Sequence, residues 1–447
     1  GLVVAPNGGF LSKMTLPFKM GLGGPISDGQ QYMPWIHLDD ICRLFLFLAE
    51  NRSLTGVYNG AAPRPVSNQQ FSKALAKTLN RPAFFRVPSC VLKASMGEMA
   101  DLLLGGQRAI PEKAQAAGFE FLYTDIQSAL NVRRYLNQFL MDPYVIQLPW
   151  LLRRFIVSAF VLPTRPKASA EAYRSVWTDT GSPLIVLSEK LHKTVQQQVD
   201  MPVELAMRYG NPSIEAGLLK LARIDGIKEV LFVPLYPHFA DSTVTTCIEM
   251  AKHVIAKHKL DIVLTIKPPF YQEDGYINAL VEQTRPYLME EHDHLLFSYH
   301  GLPESHILKR DPSGQHCLQQ ADCCNKPHVA HATCYRHQVM TTTAAFAQKA
   351  QLHPEKYSVA FQSRLGRAKW LGPNTEDRLI ELAQKGTKNV LVMCPAFVTD
   401  CLETLEEIAI RAEEVFIEAG GRSLKLIPCL NDDPVWVNLL AQWCETP

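Results

Sequence analysis

The chain has 447 residues, of which 47% are hydrophobic and 20% charged, with 30 Pro and 25 Gly, so about three domains are expected and a disulfide knot or a disordered polymer is excluded. Lys+Arg 45 against Asp+Glu 44 leaves a net charge of +1, and without a basic run nucleic-acid binding has no electrostatic source.

Gly1-Leu2-Val3-Val4 reads like the inside of a strand, as if the sequence began within an element. Met20-Gly21-Leu22-Gly23-Gly24-Pro25 is Gly-rich, but Pro25 and the lack of a following helix favour a surface turn over a dinucleotide cradle. Residues 38–52 read as a helix and Gly56-Val57-Tyr58-Asn59 as a short strand. Ser67-Asn68-Gln69-Gln70 is a capping box opening a helix with Phe71, Leu75 and Leu79 on one face, which Asn80-Arg81-Pro82 closes. Pro111 starts a further short helix and Gly118 ends it.

Residues 144–163, YVIQLPWLLRRFIVSAFVLP, are about long enough to cross a bilayer, yet Arg153, Arg154 and Pro149 interrupt them. A packed core helix and a partly exposed apolar lip are the better readings. After about residue 170 apolar strands are expected near 203–208, 229–234, 260–266, 294–299, 357–362, 389–394 and 424–428, separated mostly by helical stretches such as 242–258 and 400–419. Runs such as EVLFVPL, NVLVMCP and LKLIPCL are continuously apolar, which predicts strands covered on both faces of a parallel, doubly wound α/β sheet. Ligands of such sheets bind beyond the carboxyl ends of the strands.

One strand end releases Tyr299-His300-Gly301-Leu302-Pro303, where an imidazole can face a cleft to bind a metal or take a proton. The plain alternative is a histidine satisfied by backbone. Another strand end leads into Asp400-Cys401-Leu402-Glu403, with Asp400 at the expected N-cap and Glu403 and Glu407 on one helical face. First-turn acids are commonly only dipole complements, but an imidazole and paired carboxylates at two ends of one sheet make an N/O site for a divalent metal. Eleven Cys are too few for a secreted disulfide scaffold and point to a reducing, cytoplasmic compartment. Four of them, Cys317, Cys323, Cys324 and Cys334, form a C-x5-C-C-x9-C array suited to an iron–sulfur cluster or, with His316, His328, His331 and His337 nearby, to zinc. Cys42, Cys90, Cys247, Cys394, Cys401, Cys429 and Cys444 have no ligand spacing and read as packing residues.

Residues 132 to the end resemble bacterial ferrochelatase. The resemblance rests on VRRYLNQFLMDPYVIQLP at 132–149, AYRSVWTDTGSPL at 172–184, AMRYGNPSI at 206–214, VPLYPHFADST at 233–243, FSYHGLPESH at 297–306, FQSRLGRAKWLGP at 361–373 and CPAFVTDCLETLEEI at 394–408. It implies insertion of ferrous iron into protoporphyrin IX to form protohaem, by two chelatase-type, Rossmann-like domains facing a cleft, at 132–290 and 291–447, the second with a Cys-rich insertion at 313–337. It also implies that His300 and Glu403 bind iron and catalyse, that Glu407 and Asp400 extend an acidic track, and that Tyr173, Arg174, Tyr236, Ser242 and Thr243 contact porphyrin, Arg174 pairing with a propionate. The Cys array is similar to the internal 2Fe–2S motif of some bacterial members. The lip at 144–163 corresponds to the rim for the macrocycle and implies peripheral membrane contact.

Residues 1–131 resemble the carboxyl-terminal part of an epimerase-like member of the extended short-chain dehydrogenases, on MGLGGPISDGQQYMPWIHLDD at 20–40, GVYNGAAPRPVSNQQFSKAL at 56–75 and GEMADLLLGGQRAIPEKAQAAGFEF at 97–121. The Gly-rich turn and Tyr-x-x-x-Lys pair of that family are missing, so no NAD binding is expected. The ferrochelatase family's first strand and Gly-Thr-Pro turn do not precede VRRYL either. The other readings are an inactive cluster-holding or porphyrin-binding protein, a nicotinamide-dependent reductase, and a cobalt or nickel chelatase.

Overall fold

The computed structural model describes residues 2–4, 14–15, 17–18, 21–51, 54–79, 81–89, 104–119, 121, 123, 126, 139–157, 172, 175–178, 182–210, 212–320, 322–364 and 368–445. The chain divides into two compact units, Gly1–Lys167 and Ala168–Pro447.

In the first unit β1 (Leu2–Val4) runs parallel to β3 (Trp35–His37), and β2 (Tyr32–Met33) antiparallel to β4 (Val66–Ser67). Helix α1 (Leu38–Glu50) follows β3, and α2 (Asn68–Leu79) follows β4. The capping box forms as expected: the Gln70 amide donates to Ser67 Oγ at 3.2 Å, and the Ser67 amide to Gln70 Oε1 at 2.9 Å. Phe71 and Leu75 then bury against Trp35 and Val4. The strand expected at 56–59 is absent, because Gly56 takes φ +88 and turns the chain out of extended conformation. Short α3 (Glu112–Ala116) ends before Gly118, also at φ +88.

The described part of the 144–163 stretch forms α4 (Trp150–Ile156), entered through Pro149. Arg153 is buried, its guanidinium donating to the carbonyls of Ile146 and Leu148, both at 3.1 Å, while Trp150 and Leu152 are 60% and 46% exposed. The helix thus exposes Trp150 and Leu152 beside Arg154 and is anchored by a buried charge, Arg153. Among the described residues no helix is long and apolar enough to cross a membrane.

The second unit is parallel α/β. Helices α5 (Pro183–Gln196) and α6 (Ile214–Leu221) precede β5 (Glu229–Phe232), which a π-helical turn, Asp241–Thr245, and α7 (Thr246–His258) connect to β6 (Val263–Ile266). Strands β5 and β6 pair in parallel, with α6 and α7 packed on them through Leu218, Ala251 and Val254. Helix α8 (Asp274–Leu288) leads to β7 (His294–His300), then come α9 (Glu304–Lys309), α10 (Tyr335–Lys349), β8 (Tyr357–Gln362), α11 (Thr375–Gln384) and β9 (Asn389–Met393). Helix α12 (Leu402–Leu405), a π-helical turn (Glu407–Ala412), α13 (Glu413–Glu418), β10 (Ser423–Leu426) and α14 (Pro434–Glu445) complete it. The second sheet has the order β10-β9-β7-β8, all pairs parallel.

Alternate residues explain the continuously apolar runs of the inner strands. Leu295, Phe297, Tyr299, Leu391 and Met393 face a core with α8, α10 and α14, while Leu296, Val390 and Val392 face the core under α11 and α13. The same expectation fails for β5 and β10, which carry exposed residues: β5 has β6 as its one strand partner among the described residues, and β10 lies at a sheet edge. The expected strand at 203–208 is also missing. Its Met207 amide donates to the Pro212 carbonyl across a turn through Gly210 at φ +83, so the segment folds back on itself. The helix expected at 400–419 is interrupted by the π-helical turn at Glu407–Ala412.

Candidate active site

His300 is the last residue of β7, the inner strand between β8 and β9. The next peptide must lie tight against β8: the Gly301 amide donates to the Gln362 carbonyl at 2.8 Å, and a Cβ at Gly301 would come within 2.8 Å of that same oxygen. The imidazole is half-buried, with its ring centroid 6.3 Å from that of Phe397. Its Nδ1 sits 2.7 Å from the Gly301 carbonyl. A carbonyl only accepts, so Nδ1 carries the proton and the lone pair of the neutral ring is at Nε2, open to a metal or a proton.

Parallel pairing sets Gln362 opposite His300. The Gln362 side chain crosses to the next loop: Nε2 donates to the Glu403 carbonyl at 2.7 Å, while Oε1 accepts from Ser298 Oγ at 2.6 Å. One glutamine therefore ties the strand that ends in His300 to the turn that carries Glu403. Cys401, not Asp400, is the N-cap of α12, its amide accepted by Thr404 Oγ1 at 3.0 Å. The sequence expectation is off by one residue because Asp400 has other partners. Its carboxylate accepts from Thr404 Oγ1 at 2.9 Å, Asn431 Nδ2 at 2.7 Å and the Cys429 amide at 3.2 Å. Asp400 is buried and saturated, so it holds the turn after β9 to the turn after β10 instead of offering a free oxygen.

Glu403 is half-buried, and the nearby Cys401 thiol is pushed well up by burial and then by the Glu403 carboxylate. Glu407 accepts from the Ser363 amide at 2.7 Å and the Ser363 hydroxyl at 2.5 Å, and pairs with Arg411 at 3.3 Å. The repulsion expected between Glu403 and Glu407 is thus relieved by a cation and two donors. Cys394, Cys401 and Cys429, read as packing residues, are buried around Asp400.

The turn at residues 236–243 lies against α10. The Phe239 amide donates to Gln338 Oε1 at 2.7 Å, and His238 Nε2 lies 2.9 Å from Thr342 Oγ1. Thr342 donates its one hydroxyl proton to the Tyr271 carbonyl at 2.6 Å, so His238 must donate from Nε2, leaving a bare Nδ1 buried without a partner. Burial pulls the His238 pKa down to about 3. Asp241 is paired with Arg310, whose Nε donates at 3.0 Å, while Ser242 and Thr243 are half-buried. Tyr173 and Arg174 lie outside the described residues.

The Cys-rich insertion is ordered by Asp311, which accepts from the amides of Ser313, His316 and Cys317 at 2.8 to 2.9 Å and from Ser313 Oγ at 2.7 Å. Against the effect of burial, these donors hold its carboxyl far below the usual range. The four thiols are electrostatic neighbours: Cys334 and Cys323 both act on Cys317, and Cys323 and Cys334 both act on Cys324. Arg336 Nη1 lies 3.5 and 3.7 Å from the sulfurs of Cys323 and Cys324. Burial pushes Cys324 up to about 12 despite that guanidinium. His316 and His331 both donate from Nε2 to the Cys323 carbonyl, at 2.7 and 2.8 Å, and His337 from Nδ1 to that of Cys324 at 2.8 Å. The histidines therefore brace the cysteine backbone. Among the described residues no group of three or more His, Cys, Asp or Glu is arranged to hold a metal ion.

Gln362, Ser363, His238 and Tyr335 were not singled out by sequence. Gln362 and Ser363 fall within the FQSRLGRAKWLGP segment, but only strand pairing reveals that they face His300 and Glu407.

The ferrochelatase family model matches residues 127–446. A ferrochelatase of Pseudomonas fluorescens is 57% identical over 320 residues, covering 71% of this chain and 93% of the relative, and that of Ectopseudomonas mendocina is 58% identical, covering 70% and 92%. A domain of unknown function matches residues 87–131. A human epimerase family protein solved with NADPH is 38% identical over 29% of this chain and 44% of its own, with TM-score 0.29. SirB from Bacillus subtilis, solved with Fe3+, is 13% identical over 59% and 91%, with TM-score 0.41.

Proposed function

The chain belongs to the ferrochelatase family, lyases that insert ferrous iron into protoporphyrin in haem biosynthesis, with an epimerase-like segment before it, and from that premise we propose that His300 and Glu403 carry the insertion. Metallation requires two pyrrole N–H protons to leave while a hydrated ion exchanges its waters for ring nitrogens. The Nε2 lone pair of His300 serves as iron ligand or proton acceptor, because the Gly301 carbonyl keeps the proton on Nδ1. The Glu403 carboxylate supplies the negative charge that favours an approaching cation. Glu407 extends the anionic route outward, its charge moderated by Arg411 and Ser363. Asp400 acts one step back, by holding the Glu403 turn in place.

The observation that carries this reading is the Gln362 bridge, which joins the strand of His300 to the carbonyl of Glu403. A haem-formation assay tests it: with ferrous iron and protoporphyrin the protein gives a haem absorbance band, and His300→Ala turning over at the parent rate would sink the assignment. The same assay beside a chain with the family's first strand restored tests whether that strand is needed. For the porphyrin we propose contacts from Tyr173, Arg174, Tyr236, Ser242 and Thr243, and a domain division at 131/132 and 290/291. The exposed Trp150 and Leu152 support an apolar rim with peripheral membrane contact, read by co-sedimentation with lipid vesicles.

We also propose that Cys317, Cys323, Cys324 and Cys334 hold a 2Fe–2S cluster. Four neighbouring thiols on one braced loop support it, and closing the sulfurs round a cluster requires them to lose their protons. A brown protein whose visible absorption bleaches on reduction is expected, and stoichiometric zinc without iron would overturn it.

A further inference from the structure

Resting on the reading of His300 above, we propose that Tyr335 is a positioning residue for that histidine: its hydroxyl pins the peptide from which the imidazole projects. Tyr335 is buried, and its hydroxyl donates to the His300 carbonyl at 2.9 Å. The amide of the same peptide unit, Gly301 N, is held by the Gln362 carbonyl at 2.8 Å. Both polar atoms of one peptide are therefore fixed, from opposite sides and by different elements. Burial pushes the Tyr335 phenol far up, so it stays a donor at any working pH.

The setting of Tyr335 argues for aim over packing. Tyr335, Gln338, Thr342 and Thr343 recur at helical spacing on one face of α10, and all four are buried. Each is engaged at the strand end or the adjoining turn: Thr343 Oγ1 lies 2.8 Å from the Tyr299 hydroxyl, and Gln338 and Thr342 hold the Phe239 amide and the His238 ring. The His238 ring stands edge-on to both Tyr335, at 5.8 Å, and Tyr299, at 5.4 Å. A row of apolar side chains would stabilise this core as well; what a polar row adds is orientation.

Tyr335→Phe removes one oxygen and keeps the ring. The expected result is a KM for ferrous iron raised about 5- to 10-fold, the worth of one hydrogen bond, with the KM for protoporphyrin within twofold and the far-ultraviolet dichroism unchanged. In 15N-histidine spectra the His300 ring, identified by its loss in His300→Ala, shows one tautomer in the parent and a mixture in Tyr335→Phe. Unchanged kinetics with an unchanged ring signal overturn the proposal, as does an equal rise in both KM values, which marks general damage. If Tyr335→Phe does not fold, 3,5-difluorotyrosine at 335 keeps the shape and strengthens the donor, and an unaltered iron KM overturns the proposal. An inactive His300→Ala beside an unaffected Tyr335→Phe sinks this inference alone; an active His300→Ala sinks the reading of His300 and this inference with it.

Discussion

Two aspartates organise the two chemical regions of the second unit, and they do so on different scales. Asp311 gathers donors from Ser313, His316 and Cys317, all within six residues, and so shapes the Cys-rich insertion from within. Asp400 gathers Thr404 beside it but also Cys429 and Asn431, 29 and 31 residues away, and so joins two strand-to-helix turns. A local set of hydrogen bonds orders that loop, although its Cys317 and Cys334 reach into the core of the unit. A long-range set makes the end of the sheet that carries His300 part of the global fold, so damage there spreads.

The largest expected effect lies at the long-range region and is chemical: His300→Ala lowers haem formation by about 10^3-fold with little change in unfolding midpoint, since the ring is half-buried and, among the described residues, hydrogen-bonds only the adjacent Gly301. Next is Asp400→Ala, which strands buried donors on Thr404, Cys429 and Asn431 and costs about 3 to 5 kcal/mol in denaturant unfolding. A loss below about 1 kcal/mol would erase the contrast between the aspartates.

The acid side sharpens the same comparison. The folded-state pKa of His238 is about 3, below the unfolded 6.5, so its contribution is fully present above 6.5 and is lost as pH falls. Between roughly pH 6.5 and 3 this one group makes stability fall as pH falls, a dependence that His238→Gln removes. Asp311 is also depressed, so its support is intact above about pH 4 and fades below it as the carboxylate protonates. Asp311→Asn gives the smallest effect: faster alkylation of Cys317 at neutral pH, with the unfolding midpoint kept. Cooperative unfolding of the whole unit by Asp311→Asn would show that the insertion is not local after all.

The inner strands were readable because β7 and β9 bury both faces and must be continuously apolar, whereas β5 and β10 look the same in sequence but carry exposed positions. The capping box at Ser67 was readable because both partners lie within one turn. The N-cap role fell to Cys401 instead of Asp400 because two of the residues that claim the Asp400 carboxylate sit some thirty positions downstream. The strand-end rule identified His300, Glu403 and Glu407 as candidates. Nothing in a linear reading could pair Gln362 with Glu403 or Tyr335 with His300, since those contacts exist only once the sheet registers.

The strand ending in His300 is interior, flanked by β8 and β9 and covered on both faces. Its amide protons can therefore leave for solvent only when the whole sheet opens, and in deuterated water Phe297 and Ser298 belong among the slowest exchangers of the chain, near the limit set by global unfolding. The His300 imidazole at the end of such a strand inherits that persistence: its placement is lost last, after the fraying ends and loops have already melted.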